Sequence, residues 1–138
     1  MIHGVRELSR AEIDALLGEQ VVGRVGCHAD GLTYVVPVIF AWDGEAVYVF
    51  TVEGQKTRML RENPSACFEV DVYEGPGVWR SAILQGEYEE LDGDEAQHAL
   101  GMLRARFPGG AQRPRSTGRD PVAFRIRVRE ATGRAIGG

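Results

Sequence analysis

The sequence predicts a mainly β protein, six antiparallel strands closed into a small barrel with short helices at its periphery. Three observations carry this. Segments with strand character dominate and run in the order helix, three strands, short helix, two strands, helix, strand. Neighbouring strands are joined by tight-turn signals, and tight turns impose antiparallel pairing. The length of 138 residues suits one domain with a real core, residues 1–138, but not a cofactor domain plus a substrate domain. Six strands with few edges favour closure.

Each element has a local reason. Ser9-Arg10-Ala11-Glu12 is a capping box that opens a helix through Leu17, with Ile13, Leu16 and Leu17 on one face. Val21–His28 is a strand, and Ala29-Asp30-Gly31 is turn material. Leu32–Trp42 is a long β-rich run with Pro37 inside it. Proline removes a ladder donor, so Pro37 marks an edge, a bulge or a place where the ladder opens for a ligand. Asp43-Gly44 is the strongest hairpin signal and leads into Glu45–Thr51. Gly54–Glu62 is helical in pattern and stops at Asn63-Pro64. Ser65–Val72 alternates, with Ala66, Phe68 and Val70 on one face and Ser65, Cys67 and Glu69 on the other. Gly75-Pro76-Gly77 breaks the chain before Val78–Leu91, where Gly86 suggests a bulge. Asp92 caps a helix to about Phe107. Pro108–Asp120 is a loop rich in proline, glycine and arginine, and Arg113, Arg115 and Arg119 could close over an anionic ligand. Pro121–Thr132 is the last strand, with Phe124, Ile126 and Val128 inward and Arg125, Arg127 and Arg129 outward.

Composition narrows the function. No apolar run approaches bilayer length and Met1–Arg10 lacks a signal-peptide core, so a cytoplasmic protein with no membrane partner is expected. Cys27 and Cys67 lie far apart in strand-like runs, which reads as two reduced thiols and no metal site. Residues 1–100 carry seven basic and eighteen acidic side chains, net −11; residues 101–138 carry nine arginines against Asp120 and Glu130, net +7. The acidic whole argues against nucleic acid as a partner, while the basic last third suits an anionic ligand or an acidic neighbouring subunit. Among sixteen basic residues Lys56 is the sole lysine. It follows Gly54 at a helix start, where backbone N–H groups and a compact cation suit a phosphate. A solvated helix end is the alternative. No Walker-type loop, dinucleotide fingerprint, zinc-protease motif or nucleophile elbow is present.

The ordered motifs Gly23-Arg24-Val25-Gly26, Tyr34-Val35-Val36-Pro37-Val38, Val47-Tyr48-Val49-Phe50-Thr51, Gly54-Gln55-Lys56, Leu60-Arg61-Glu62-Asn63-Pro64 and Cys67-Phe68-Glu69-Val70 are joined by Trp79-Arg80-Ser81-Ala82-Ile83, Gly86 and Phe124-Arg125-Ile126 through Thr132-Gly133-Arg134. Together they resemble the pyridoxamine 5′-phosphate oxidase-like, FMN-binding split β-barrel family, in its nitroimidazole-resistance-like branch. The resemblance spans Val21 to Arg134. It implies a homodimer with two FMN molecules in clefts between subunits. The ring would rest against Val36, Pro37, Val38 and Ile39 and against Phe50 and Thr51. Gly54, Gln55 and Lys56 would hold the phosphate, and Trp79 with Arg80 would approach from the strand that meets the other subunit. Helix starts and cations suit phosphates, and apolar walls suit a flat ring.

One departure bears on activity. Where this sequence has Phe50, nitroimidazole-resistance relatives often carry a histidine linked to their chemistry. Phenylalanine neither transfers a proton nor acts as a nucleophile, and no catalytic residue is named. The expected function is an FMN-dependent oxidoreductase acting on a small molecule. The alternative is a carrier or sensor that binds flavin, F420 or haem without turnover. For Pro37, Phe50 and Trp79 the structural alternatives are edge strand, core and dimer packing. Arg24 reads as a salt-bridging strand residue, and His3, His28 and His98 as solvent-exposed.

Overall fold

In the computed structural model, which describes residues 4–106 and 119–137, strands outweigh helices throughout. The elements are β1 (Arg6–Glu7), α1 (Arg10–Glu19), β2 (Val22–Ala29), β3 (Leu32–Ile39), β4 (Ala41–Trp42), β5 (Ala46–Val52), α2 (Gln55–Glu62), β6 (Ser65–Gly75), β7 (Val78–Leu91), α3 (Gly93–Ala105) and β8 (Pro121–Ile136). The six long strands are the six expected; β1 and β4 add two residues each. His3, Phe107 and most of the arginine-bearing loop, including Arg113 and Arg115, lie outside the described residues.

All pairing is antiparallel and the strand order is β3-β2-β6-β7-β8-β5-β4, with β1 on β8. The two ends of that order, β3 and β4, are consecutive in the chain. The predicted single strand Leu32–Trp42 is broken at Phe40, where the run exchanges partners. Before the break it pairs with β2, after it with β5. Phe40 is fully buried, edge-on to Phe68 at 4.8 Å, and its N–H donates to Val21 O at 3.0 Å. The barrel closes through this bend rather than through a ladder, which leaves it split beside β3. Pro37 sits opposite Arg24 on β3, the terminal strand of the order, so the edge reading holds.

Inside, Val25, Phe68, Val70, Leu84, Phe124 and Ile126 form the barrel's core. Helix α1 adds Ile13, Leu16 and Leu17, and α2 adds Met59 and Leu60. Burying a side chain of this size contributes roughly 1.5–3 kcal/mol. Outside β5, Ala46, Tyr48, Leu91, Ala99 and Ala123 form a second cluster under α3. Gly86 is where β8 leaves no room: a Cβ there would collide with the Arg127 carbonyl. Across from it the register slips, because Gln85 faces Glu130 while Gly86 faces Val128, so the extra residue is Arg129 on β8.

The charge asymmetry is partly resolved within the chain. Arg125 meets Glu89 at 2.8 Å and Glu95 at 3.0 Å, and Arg127 meets Glu89 at 2.7 Å. Arg24 bridges Glu69 and Asp71 at 3.1 and 3.3 Å, as its strand position suggested. His28 and His98 are exposed, and both cysteines are free, Cys27 buried and Cys67 half-buried.

Candidate functional site

Helix α2 begins without a cap. Its N-cap residue is Gly54, in extended backbone, which offers no side-chain acceptor. Its first turn contains no acidic residue, and Lys56 and Arg58 stand there instead. Cations at a helix N-terminus run against the macrodipole, and the first-turn N–H groups have no intrahelical acceptors. Thr57 is fully buried and braces the turn: its Oγ1 accepts the Gly54 N–H at 3.0 Å and lies 3.1 Å from Glu53 Oε2.

Beside this helix start, at the split between β3 and the end of β5, opens a cleft of about 450 Å³ lined by Tyr34, Glu53, Gly54, Gln55, Arg58 and Arg119. The Glu53 N–H donates to Asp120 O at 2.8 Å, which fixes the backbone next to Arg119. The one carboxylate in the lining is neutralised. Arg61 grips Glu53 at 2.6 and 2.9 Å and Glu90 at 2.7 Å, and Glu90 accepts from Tyr88 Oη at 2.6 Å. Arg61 holds the Glu53 carboxyl below the usual range, so it stays ionised and spoken for. What remains facing the cleft is two guanidiniums, an amide side chain, the Tyr34 phenol and a helix start, a set that suits an anion.

The expected site residues fall into three places. Gly54 and Gln55 line the cleft, and Lys56 is adjacent, half-buried, with burial pushing its ammonium pKa down and no ion-pair partner among the described residues. On β3 the alternation splits the predicted ring wall: Val36 and Val38 face inward with Tyr34 and pack on the core, whereas Pro37 and Ile39 face outward and are exposed. On β5, Phe50 packs into the cluster under α3, and Thr51 points to the other face. Trp79 and Arg80 are not brought to the cleft within one chain, because β2 and β6 lie between β3 and β7. Neighbours on a strand also point oppositely. Trp79 is on the outer face opposite Tyr73, while Arg80 is on the inner face and meets Glu19 of α1 at 3.5 Å.

Sequence reasoning missed Tyr34, Glu53 and Arg58. Arg58 was findable, since it lies three residues after Gln55 and therefore on the same helix face. Tyr34 shares the alternation of Val36 and Val38.

Comparison with known proteins fits this architecture. The family model described as pyridoxamine 5′-phosphate oxidase matches residues 9–135. The chain belongs to this family. A FAD-binding protein from Mesorhizobium loti is 32% identical, with 96% of this chain and 99% of that chain covered and a TM-score of 0.78. A candidate 5-nitroimidazole antibiotic resistance protein from Bacteroides thetaiotaomicron is 21% identical, covering 98% and 90% of the two chains at a TM-score of 0.77, a likeness of fold alone. An uncharacterized protein of Rhizobium meliloti is 29% identical over 143 residues, 95% of each chain. Among the described residues no helix is long and apolar enough to cross a membrane.

Proposed function

We propose that this family member binds FMN in a cleft completed by a second copy of the chain, and acts as a cytoplasmic flavin-dependent oxidoreductase on a small molecule. The observation that carries the reading is the first turn of α2, uncapped and flanked by Lys56, Arg58 and Arg119. Helix starts are ordinarily complemented by acidic groups; a phosphate would complement this one. Gly54, Gln55 and Lys56 would hold the phosphate, with Arg58 and Arg119 beside them. Tyr34 lines the cleft from β3 and would meet the ring, with Val36 packed behind it on the same face. Bound flavin would supply the electron-transfer chemistry, and the chain's part is to bind, orient and shield it. The Mesorhizobium relative's FAD keeps the dinucleotide form in play as well.

The second copy is motivated by the outer face of β3, β2, β6 and β7. Val35, Ile39, Val22, Tyr73 and Ile83 are 65, 50, 47, 71 and 43% exposed there, together with Pro37 and Trp79. These exposed apolar side chains surround the internally paired Arg24, Glu69 and Asp71, a mixed face that suits a self-complementary interface. Packing two copies on it would carry Trp79 of one chain toward β3 of the other, which a single chain does not achieve.

A second reading, a carrier of flavin, F420 or haem without turnover, is favoured by Glu53. The cleft's carboxylate is held ionised by Arg61 and is a poor proton donor. Light scattering with absorbance detection on freshly purified protein tests both the mass and the chromophore. The expected result is a yellow species at twice the 15.1 kDa chain mass. Colourless protein that also ignores added FMN overturns flavin binding, and a flavin-loaded monomer overturns the shared cleft. A Soret band or an F420 spectrum would replace FMN, and steady NAD(P)H- or F420H2-linked turnover would reject the carrier.

A further inference from the structure

Arg61 stands in the last turn of α2, yet most of its contacts are made at the helix start. Residues 53, 57 and 61 follow at intervals of four along one flank of the helix, and helical side chains lean toward the N-terminus. Arg61 therefore reaches back past Thr57 to Glu53. Both terminal nitrogens of its fork hold that carboxylate, at 2.6 and 2.9 Å, while Nε donates to Glu90 on β7 at 2.7 Å. Glu90, itself fixed by Tyr88 Oη at 2.6 Å, would be enough to neutralise Arg61 and pin α2 to the barrel. The bidentate half of the fork goes instead to the acid that lines the cleft.

We propose that Arg61 is a positioning residue that keeps the start of α2 open for the phosphate by holding Glu53 away from it. This rests on the flavin reading above and deepens it. Glu53 directly precedes the uncapped Gly54. A carboxylate freed there would find its partners in the first-turn N–H groups and in Arg58 and Arg119, the groups a phosphate would use. The chain thus carries a competitor for its own anion site. The Glu53 backbone is tied to Asp120 O at 2.8 Å, so what Arg61 controls is the side chain. The other group on that carboxylate, the Thr57 hydroxyl at 3.1 Å, is neutral and has one proton to divide between it and Gly54 O at 2.9 Å.

The test titrates FMN and riboflavin separately into flavin-free full-length protein and follows quenching of flavin fluorescence. Riboflavin lacks the phosphate and reports on the rest of the site. Arg61→Ala should weaken FMN about tenfold or more at low salt and riboflavin far less, and the loss should shrink as salt rises. Adding Glu53→Gln to that variant removes the competitor's charge and should restore FMN binding to within about threefold of wild type. Adding Glu90→Gln instead restores the same net charge but leaves Glu53 free, so FMN binding should stay weak. Should Arg61→Ala fail to fold, Arg61→Gln, which keeps donors but no charge, gives the same reading. FMN and riboflavin weakened alike, no loss in the single variant, or equal rescue by Glu53→Gln and Glu90→Gln would overturn the role of Arg61 and leave flavin binding intact. Wild type that binds neither flavin would instead bring down the flavin reading, and this role with it.

Discussion

Helices α1 and α2 sit on the same barrel and begin in opposite ways. At α1, Ser9 Oγ accepts the Glu12 N–H at 3.2 Å and Glu12 Oε1 accepts the Ser9 N–H at 3.0 Å. Arg6 then neutralises Glu12 at 2.9 Å. Every local demand of that helix start is met by its own neighbours. At α2 the cap is glycine, the first turn has a lysine and no acid, and the nearest carboxylate, Glu53, is turned toward Arg61. Helix α3 follows α1 in placing Asp94 and Glu95 in its first turn. The helix start that departs from the pattern is the one lining the cleft. A terminus whose electrostatics close internally is structural; one left open, with cations gathered at it, is set for an anion.

Giving α2 the cap it lacks should therefore trade binding for stability, and this is the largest effect expected. Gly54→Asp has room, since a Cβ there meets only ordinary contacts with Val52 O and Arg119. The extended backbone at position 54 suits any residue. An N-cap aspartate should stabilise the fold by about 1 kcal/mol. It should also weaken flavin binding about a hundredfold, by occupying the first-turn N–H groups and repelling the phosphate. Thermal melts and flavin titrations on the same preparation read both arms. A variant that melts higher yet binds flavin as before would break the contrast.

The next effect is at Lys56. Lys56→Ala should cost roughly 1.5–3 kcal/mol of flavin affinity, the loss of one charge-assisted contact. Stability of the flavin-free protein should not fall, because the ammonium is half-buried, unpaired among the described residues and on the wrong side of the helix dipole. Unchanged affinity would return Lys56 to a solvated helix end.

Much of this contrast was legible in the sequence. Ser9 with Glu12 three residues later announces a closed start, and Gly54 before a helical run announces an open one. The alternation of Ala66, Phe68 and Val70, the Asp43-Gly44 hairpin and the glycine at 86 likewise set strand phase and turns by local chemistry. Other features depended on partners distant in sequence. Nothing in the apolar run through Phe40 marks where it leaves β2 for β5. β8 was expected to stop at Thr132 but continues to Ile136, where it still pairs with β7 and takes β1 as a further partner. Arg119 reaches the cleft only because Asp120 is tied to Glu53. Trp79 and Arg80, adjacent in the motif, are parted by strand alternation, a reminder that a shared motif does not imply a shared face.

The mirror experiment at α1 should be smaller and touch stability alone. Ser9→Ala removes one half of the capping box and should cost about 1 kcal/mol of fold stability. Flavin affinity should stay within error, since α1 does not line the cleft. Loss of affinity in step with stability would show that the two helix starts are coupled, and that the α2 variants report general loosening rather than a lost contact.

The smallest effect is in the acid limb of α1. The Arg6 guanidinium, with the Ser9 N–H, lowers the Glu12 carboxyl to about 2. A carboxylate depressed in the folded state contributes stability that is fully present above its unfolded value, about 4.3, and is lost as pH falls through the folded one. The start of α1 should therefore hold to well below pH 4 and loosen as Glu12 protonates near 2. Both groups are exposed, so screening by salt keeps the effect slight. The Ser9 amide resonance, followed by NMR from pH 5 downward, should move with that low midpoint, and Glu12→Gln should abolish the movement. A midpoint at the ordinary carboxylate value would mean that Arg6 and the capping box do not hold Glu12, and that α1 starts no more firmly closed than α2.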